Sequence, residues 1–409
     1  MFHFFKKNLH KFIFIFSTIL LLIGFYFNED GTGGGAKGDF EVTYGFILAL
    51  QENILSDPKD WTLVHTPLHF IIFSFITKII TDTDVLRLIF CIFSLSLPLL
   101  FYSTILLQNR NNVLKNNILI ISSIILLIPS FRYTSIWANN LITSLFFFIL
   151  SIYFFKKWEM NKKNSLDTNS FFQILFLVLA TYTRQYFAVF FIYFLFRYLQ
   201  YFTIKSFIKL FGICVISSIP VLYYTYLFPE LLTGQLITPR AINYFLLGNS
   251  SIMSITLIPI IFLNLIFGQI NIKRLFIASI ISLFILIVLS INFNPINWQG
   301  GGVNYMISQK LFENNLYFYS TSFLCLVIFI YVSIENKENI LIFLILIFMF
   351  FSMQVYQRYY EPMLFIIFFT LIKTDLVNIF YQNKTVSLYL VSYFILYYLF
   401  SISDIIYRI

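Results

Sequence analysis

Residues 118–128 read ILIISSIILLI, from Ile118 to Ile128. The run has no charge and no period-2 alternation, so it reads as a buried or bilayer-crossing helix and excludes a transmembrane β-barrel. Similar runs recur at 12–27, 67–80, 85–107, 118–133, 139–155, 171–182, 186–200, 206–228, 252–267, 275–291, 321–334, 339–356, 361–373 and 387–403. Over 409 residues, 59% are hydrophobic and only 11% charged, against about 25% charged in soluble domains. The composition excludes a soluble enzyme, a disordered chain and a nucleic-acid binder. The expected fold class is an all-α polytopic membrane protein, a bundle of about 11–13 transmembrane helices with a large first outer loop. The net charge of +9 leaves no basic face outside the apolar runs. Cys91, Cys214 and Cys325 all lie inside such runs and read as small core residues.

The organisation expected is a single membrane domain over 1–409. An uncleaved first span at 12–27 is followed by an outer loop at 28–66, a helical module at 67–228 and a second module at 229–409. The run 67–80 decides the orientation. At about 1.5 Å per residue it is too short for a core of roughly 30 Å. If it only dips into the outer leaflet, the inside loops collect 17 of the 27 basic residues; if it crosses, they collect 11. Positive-inside bias selects the first arrangement, with the N-terminus cytoplasmic. The pair 171–182 and 186–200 is also short, which places its break at Thr183, Arg184 and Gln185 near the outer surface.

Four clusters can carry chemistry. Asp39 and Glu41, followed by Tyr44, come after five glycines between Asn28 and Gly38. They suit either a general base or helix capping. The glycines read as irregular chain, with a short helix over 41–55. His65 and His69 flank Pro67; they bind headgroups or backbone, or, with Asp60, a metal. Arg184 sits between two short helices and needs a partner or an anionic ligand. Arg358 and Tyr359 occupy a tight turn before Glu361-Pro362, where Arg358 pairs with Glu361 or with a phosphate.

Taken in order, these features resemble the GT-C glycosyltransferase superfamily, in the branch of protein O-mannosyltransferases and aminoarabinose transferases. That family's first-loop acids followed by Tyr match Asp39, Glu41 and Tyr44. Its Pro-Pro-Leu-Tyr stretch is matched by Thr66-Pro67-Leu68-His69, one Pro short and with His for Tyr. Its Arg in a span matches Arg87, and its basic inner loop matches 108–117. Its second outer loop corresponds to Pro129-Ser130-Phe131-Arg132 through Asn139-Asn140-Leu141. Its Leu-Thr-Lys-Gly break is matched by Tyr182-Thr183-Arg184-Gln185, and its late Arg-Tyr-x-x-Pro by Arg358, Tyr359 and Pro362. Residues 12–200 and 339–373 carry the likeness; 205–335 match only as apolar spans. The chain departs in the second loop, where Asn139 and Asn140 stand in place of an acid, and in the Asp-x-Glu spacing of the first.

The resemblance implies transfer of a sugar from a polyprenyl-phosphate donor to a glycan, lipid or protein acceptor on the outer face of a bacterial plasma membrane. Asp39 or Glu41 would take the acceptor proton, with Asp39 favoured as the base. The substrate-binding set is Tyr44, His65, His69, Arg132, Asn139, Asn140, Arg184, Arg358 and Tyr359, with Lys59 a further cation. No metal ligand set is assigned, and dependence on a divalent metal stays open. The lipid bilayer is a partner and nucleic acid is not. A polysaccharide polymerase or O-antigen ligase-like protein, or a non-enzymatic lipid-linked glycan transporter, are the alternatives. The topology predicts that cysteines placed at Asn112 and Asn164 are not labelled by an impermeant maleimide in intact cells; labelling of either reverses the orientation.

Overall fold

The computed structural model describes residues 2–32, 34–52, 65–108, 114–227, 241–291, 293, 302–350 and 356–406. The described residues form helices and no strands. Among the described residues eight helices are long and apolar enough to cross a membrane, and ten spans result if each of two sharply bent helix pairs counts as one. The chain is an all-α, multi-pass membrane protein. The runs 67–80, 186–200 and 339–356 fall on shorter apolar helices at Leu68–Thr77, Gln185–Leu199 and Glu338–Phe348, and 171–182 falls on the 16-residue helix Thr168–Thr183.

The chain divides into two units, Met1–Gly234 with Phe394–Ile409, and Gln235–Tyr393. The division falls near the expected module boundary, except that the chain's last helix ends in the first unit. In that unit α1 spans Phe2–Tyr26, α2 Gly35–Glu52, α3 Leu68–Thr77, α4 Thr83–Ser94, α5 Ser96–Gln108 and α6 Lys115–Ser123. Then come α7 at Pro129–Ile136, α8 at Asn140–Asn161, α9 at Thr168–Thr183, α10 at Phe190–Leu199 and α11 at Ile204–Leu227.

Two sequence expectations change here. The run 118–133 is not one straight span: α6 continues as a 3-10 turn to Leu127, and α7 leaves at 63°. Pro129 lacks an N–H and forces Ile128 into extended backbone (φ −68°, ψ 120°). The glycine stretch is not irregular throughout, because α2 starts at Gly35. Asp30 and Thr32 cap it: the Thr32 hydroxyl accepts from the Ala36 N–H at 2.8 Å and the Asp30 carboxylate from the Lys37 N–H at 3.0 Å. Those bonds satisfy donors that a helix start otherwise leaves open, and outweigh the poor helix propensity of glycine. The ten residues of α3 rise only about 15 Å, too little to cross a bilayer.

Every residue from Ile120 to Ala138 is buried, as expected of a helical run apolar on all sides. Arg132 lies within it. Its Nε donates to Glu29 Oε1 at 2.8 Å and its Nη2 to Glu29 Oε2 at 2.5 Å. Nη2 also donates to the Leu20 carbonyl, and the Tyr398 ring covers the guanidinium at 4.1 Å. Glu29 is held from the other side, its carbonyl accepting from Trp137 Nε1 at 3.0 Å. At the far end of α8, Glu159 pairs with Lys156 and Arg197, each at 2.9 Å.

In the second unit, α12 spans Ala241–Ile266, α13 Ile272–Ser290, α14 Gly302–Lys310, α15 Leu316–Glu335 and α16 Glu338–Phe348. Short helices α17 (Gln357–Tyr360), α18 (Met363–Thr370) and α19 (Asn378–Gln382) lead to α20, Lys384–Ile406. The buried Asn249, Ser250, Ser251 and Ser254 lie along α12. Such small polar residues let helices approach closely and bond across the interface. Ser251 meets Thr321 at 3.0 Å, Asn249 Nδ2 donates to the Ile347 carbonyl at 3.0 Å, and Asn304 Nδ2 reaches Ser254 at 2.7 Å.

The Glu29–Arg132 pair yields a stability prediction. Removing one partner strands a buried charge, which costs about 3–5 kcal/mol. Glu29→Gln and Arg132→Met should each lower the thermal midpoint of the detergent-solubilised protein sharply, and the double variant should recover much of the loss. Gly24→Ala should behave like the single variants, because its Cβ would collide with Glu29 Oε2 and lie 2.6 Å from Arg132 Nη2. Unchanged midpoints in all three would remove the pair from its structural role.

Candidate functional site

Helix α7 and the turn after it organise two neighbouring polar sites in the first unit. The turn is tight: Asn139 N–H bonds to the Thr134 carbonyl at 2.9 Å, and Ala138 takes φ +44°. A left-handed conformation is uncommon for alanine and marks a local backbone cost. Trp137 faces one site, Asn139 and Asn140 the other.

The first site is a cleft of about 530 Å³. Its lining includes Lys37, Phe40, Glu41 and Tyr44 from one face of α2, Asp30 from the loop before it, Thr83, Asp84 and Arg87 from α4, and Trp137. Arg87 stacks on Trp137 at 3.7 Å and donates to Asp84 at 3.0 Å, Asn28 at 2.8 Å and the Ile136 carbonyl at 3.1 Å. Glu41 is exposed, and Lys37 lies 3.8 Å away. Tyr44 stacks on Phe40 and donates to the Thr81 carbonyl at 3.4 Å. Asp39 is half-buried and is not among the lining residues. Positions i and i+2 of an α-helix are roughly 200° apart, so the early start of α2 turns Glu41 into the cleft and Asp39 away from it. Asp39 is thus part of a helix and not of the irregular stretch expected before it.

The second site is a buried cluster around Arg184, which is 1% exposed. Helix α9 stops at Thr183 and Arg184 takes extended backbone (φ −147°, ψ 114°) before a 3-10 turn at Gln185–Val189, in keeping with the break expected there. Nε donates to Asn140 Oδ1 at 2.7 Å and Nη2 to Asn139 Oδ1 at 2.8 Å. Asn139 meanwhile caps α8 by accepting from the Leu141 N–H at 3.0 Å. Tyr186 lies 5.8 Å from the guanidinium. Among the described residues Arg184 has no carboxylate partner, and its Nη1 has no hydrogen-bond partner. The C-terminal end of α9 and the N-terminal end of α8 meet here, so their macrodipoles offset each other and leave the formal charge.

His69 joins this cluster from the first turn of α3. Its Nδ1 lies 2.9 Å from Thr143 Oγ1, one turn into α8 from Asn139 and Asn140. Thr66 fastens the start of α3 to the end of α9, donating to the Thr181 carbonyl at 2.9 Å. Burial first, and then the Arg184 charge, push the imidazole down to about 3, so it is neutral at pH 7. The Ala138 backbone opposes that shift without a hydrogen bond to Nε2.

His65 precedes Pro67 and α3, so the two histidines do not share a helix face. Arg132 is wholly buried against Glu29 and lines neither site. Arg358 and Tyr359 belong to the second unit, where Arg358 lies over the Tyr356 ring at 5.4 Å and Tyr359 stacks on Phe350 at 4.9 Å. Glu361 is buried there and accepts from Gln357 Nε2 at 2.7 Å. Lys59 and Asp60 lie outside the described residues. Among the described residues no group of three or more His, Cys, Asp or Glu is placed to hold a metal ion. Sequence reading missed Glu29, Asp30, Asp84, Trp137 and Thr143. The acid-rich stretch Asn28-Glu29-Asp30 was the only signal, and it does not tell a structural carboxylate from a cleft-lining one.

Comparison with protein-family models, curated proteins and solved structures found no match for this chain. The geometry around Arg184 makes its own prediction. Asn140→Asp places a carboxylate where a neutral oxygen now lies 2.7 Å from Nε. It closes the charge internally and should raise the thermal midpoint, whereas Arg184→Gln should change it less. A fall in the midpoint of Asn140→Asp would mean that the cluster does not carry an uncompensated charge.

Proposed function

We propose that this chain is an integral-membrane glycosyltransferase that moves a sugar from a polyprenyl-phosphate donor to an acceptor at the outer face of the membrane. The observation that carries the reading is the buried charge of Arg184, bound among the described residues only by the neutral oxygens of Asn139 and Asn140. A cation at that depth is costly without an opposite charge. An anionic ligand supplies one, and a lipid phosphate brings it together with an apolar chain compatible with the bilayer.

The neighbouring cleft supports the acceptor half of the reaction. Aromatic faces beside carboxylates suit a hydroxyl-rich molecule, which stacks its apolar face and donates its hydroxyls. Glu41 is the general base in this reading, because it lines the cleft and is solvent-exposed. It takes the acceptor proton as the acceptor oxygen bonds to sugar C1. The bond from C1 to the phosphate oxygen breaks, and the lipid phosphate leaves with the electron pair. The charge developing on that phosphate is stabilised by Arg184, whose position is set beforehand by two asparagines. Tyr44 and Trp137 shape the cleft, and Arg87 holds Trp137 in place. The order of motifs that resembles GT-C enzymes points the same way.

Membranes containing the protein, supplied with polyprenyl-phosphate sugars, should release lipid phosphate. Glu41→Gln should lower turnover about 10²–10⁴-fold, with Asp39→Asn the milder change. Full activity in Glu41→Gln with loss in Asp39→Asn would return the base to Asp39. Full activity in both would take the chemistry out of this helix.

A further inference from the structure

Two nitrogens of the buried cluster have no hydrogen-bond partner: Arg184 Nη1 and His69 Nε2. Both side chains are more than nine-tenths buried. An unmade hydrogen bond in such a place is costly, and two in one cluster mark a place for a ligand.

The proton on His69 can be located from the surrounding bonds. A neutral imidazole carries one N–H, on Nδ1 or on Nε2. The Thr181 and Thr183 hydroxyls return to carbonyls four residues back, but the Thr143 hydroxyl makes no such bond. Among the described residues its hydrogen-bond partner is His69 Nδ1; we assign the hydroxyl as the donor to Nδ1, which puts the imidazole proton on Nε2. Nε2–H is then an unused donor, as is Nη1–H of Arg184. A group that accepts two hydrogen bonds and carries negative charge satisfies both.

We propose that His69 and Arg184 form a two-donor clamp for one phosphate group, with His69 Nε2–H and Arg184 Nη1–H each taking a phosphate oxygen. The assignment of that phosphate to a prenyl lipid rests on the function proposed above. The clamp itself rests on the two open donors. The neutral ring adds a donor without a second charge, so the site carries a single positive charge.

The test uses the purified full-length protein in lipid nanodiscs, titrated with citronellyl phosphate and separately with inorganic phosphate. His69→Phe should weaken citronellyl phosphate binding by ~10-fold or more, the size expected for a lost hydrogen bond to a charged group. His69→Gln, which keeps a side-chain N–H, should recover part of the affinity, a rescue that a purely packing role would not give. Normal binding in His69→Phe with binding lost in Arg184→Gln overturns the clamp and leaves the donor reading in place. Unaltered binding in both variants, or none in the wild type, overturns both. Binding of inorganic phosphate as tight as that of citronellyl phosphate supports the clamp and overturns the lipid assignment. If His69→Phe does not fold, ¹⁵N-histidine labelling of the wild type decides, since the chain has only four histidines. The Nε2 resonance of His69 should move on adding citronellyl phosphate, and an unmoved resonance overturns the clamp.

Discussion

The first unit depends on what is done with a guanidinium inside a membrane protein. Arg132 lies in a continuous buried stretch, where an unpaired charge is not tolerated. Glu29 answers it with two oxygens, the Leu20 carbonyl takes a further N–H and Tyr398 covers the face. That one ion pair joins the end of α1, the bent helix α7 and the chain's last helix. Gly24 is part of the same arrangement, because no side chain fits beside the two charges. With α7 anchored, the turn behind it has little freedom, and Ala138 is held at a positive φ that alanine does not choose alone.

Among the buried arginines of this unit, Arg132, Arg87 and Arg184 differ in how fully their surroundings answer the charge. Arg132 has a full carboxylate. Arg87 has Asp84, the Asn28 oxygen, a carbonyl and an indole face. Both are saturated and act as supports, one for the turn and one for the wall of the cleft. Arg184 has two amide oxygens and an open N–H. Replacing an acid by asparagine keeps the geometry of a hydrogen-bonded guanidinium while leaving its charge available. The second-loop asparagines, a departure from the resembled pattern, thus hold the cation in place without neutralising it.

The cleft shows how a small change in local structure separates two residues that look alike in sequence. Asp39 and Glu41 look equivalent in sequence, two acids after a glycine-rich stretch. Once Asp30 and Thr32 cap a helix at Gly35, the two carboxylates point in different directions and only Glu41 lines the cleft. The glycines suggested a mobile segment because their propensity is poor. Capping bonds between side chain and backbone, which propensity does not count, decided otherwise.

Composition and periodicity alone determined the all-helical membrane class, the spacing of most spans, the shortness of 67–80 and the break at Arg184. Those features follow from local rules: transfer of apolar segments into lipid, rise per residue, and the cost of a charge within a span. Arg184, Asn139, Asn140 and His69 were each legible as polar residues near helix ends, yet nothing in the sequence said that they meet. Only the tertiary structure brought α3, α8 and α9 together at one point, and only it took Arg132 out of the site by supplying Glu29 from 103 positions away. A charge is recognised by its residue type, but whether it is neutralised depends on which distant side chain folding places beside it. That partner is set by packing, which the local pattern of a sequence does not record.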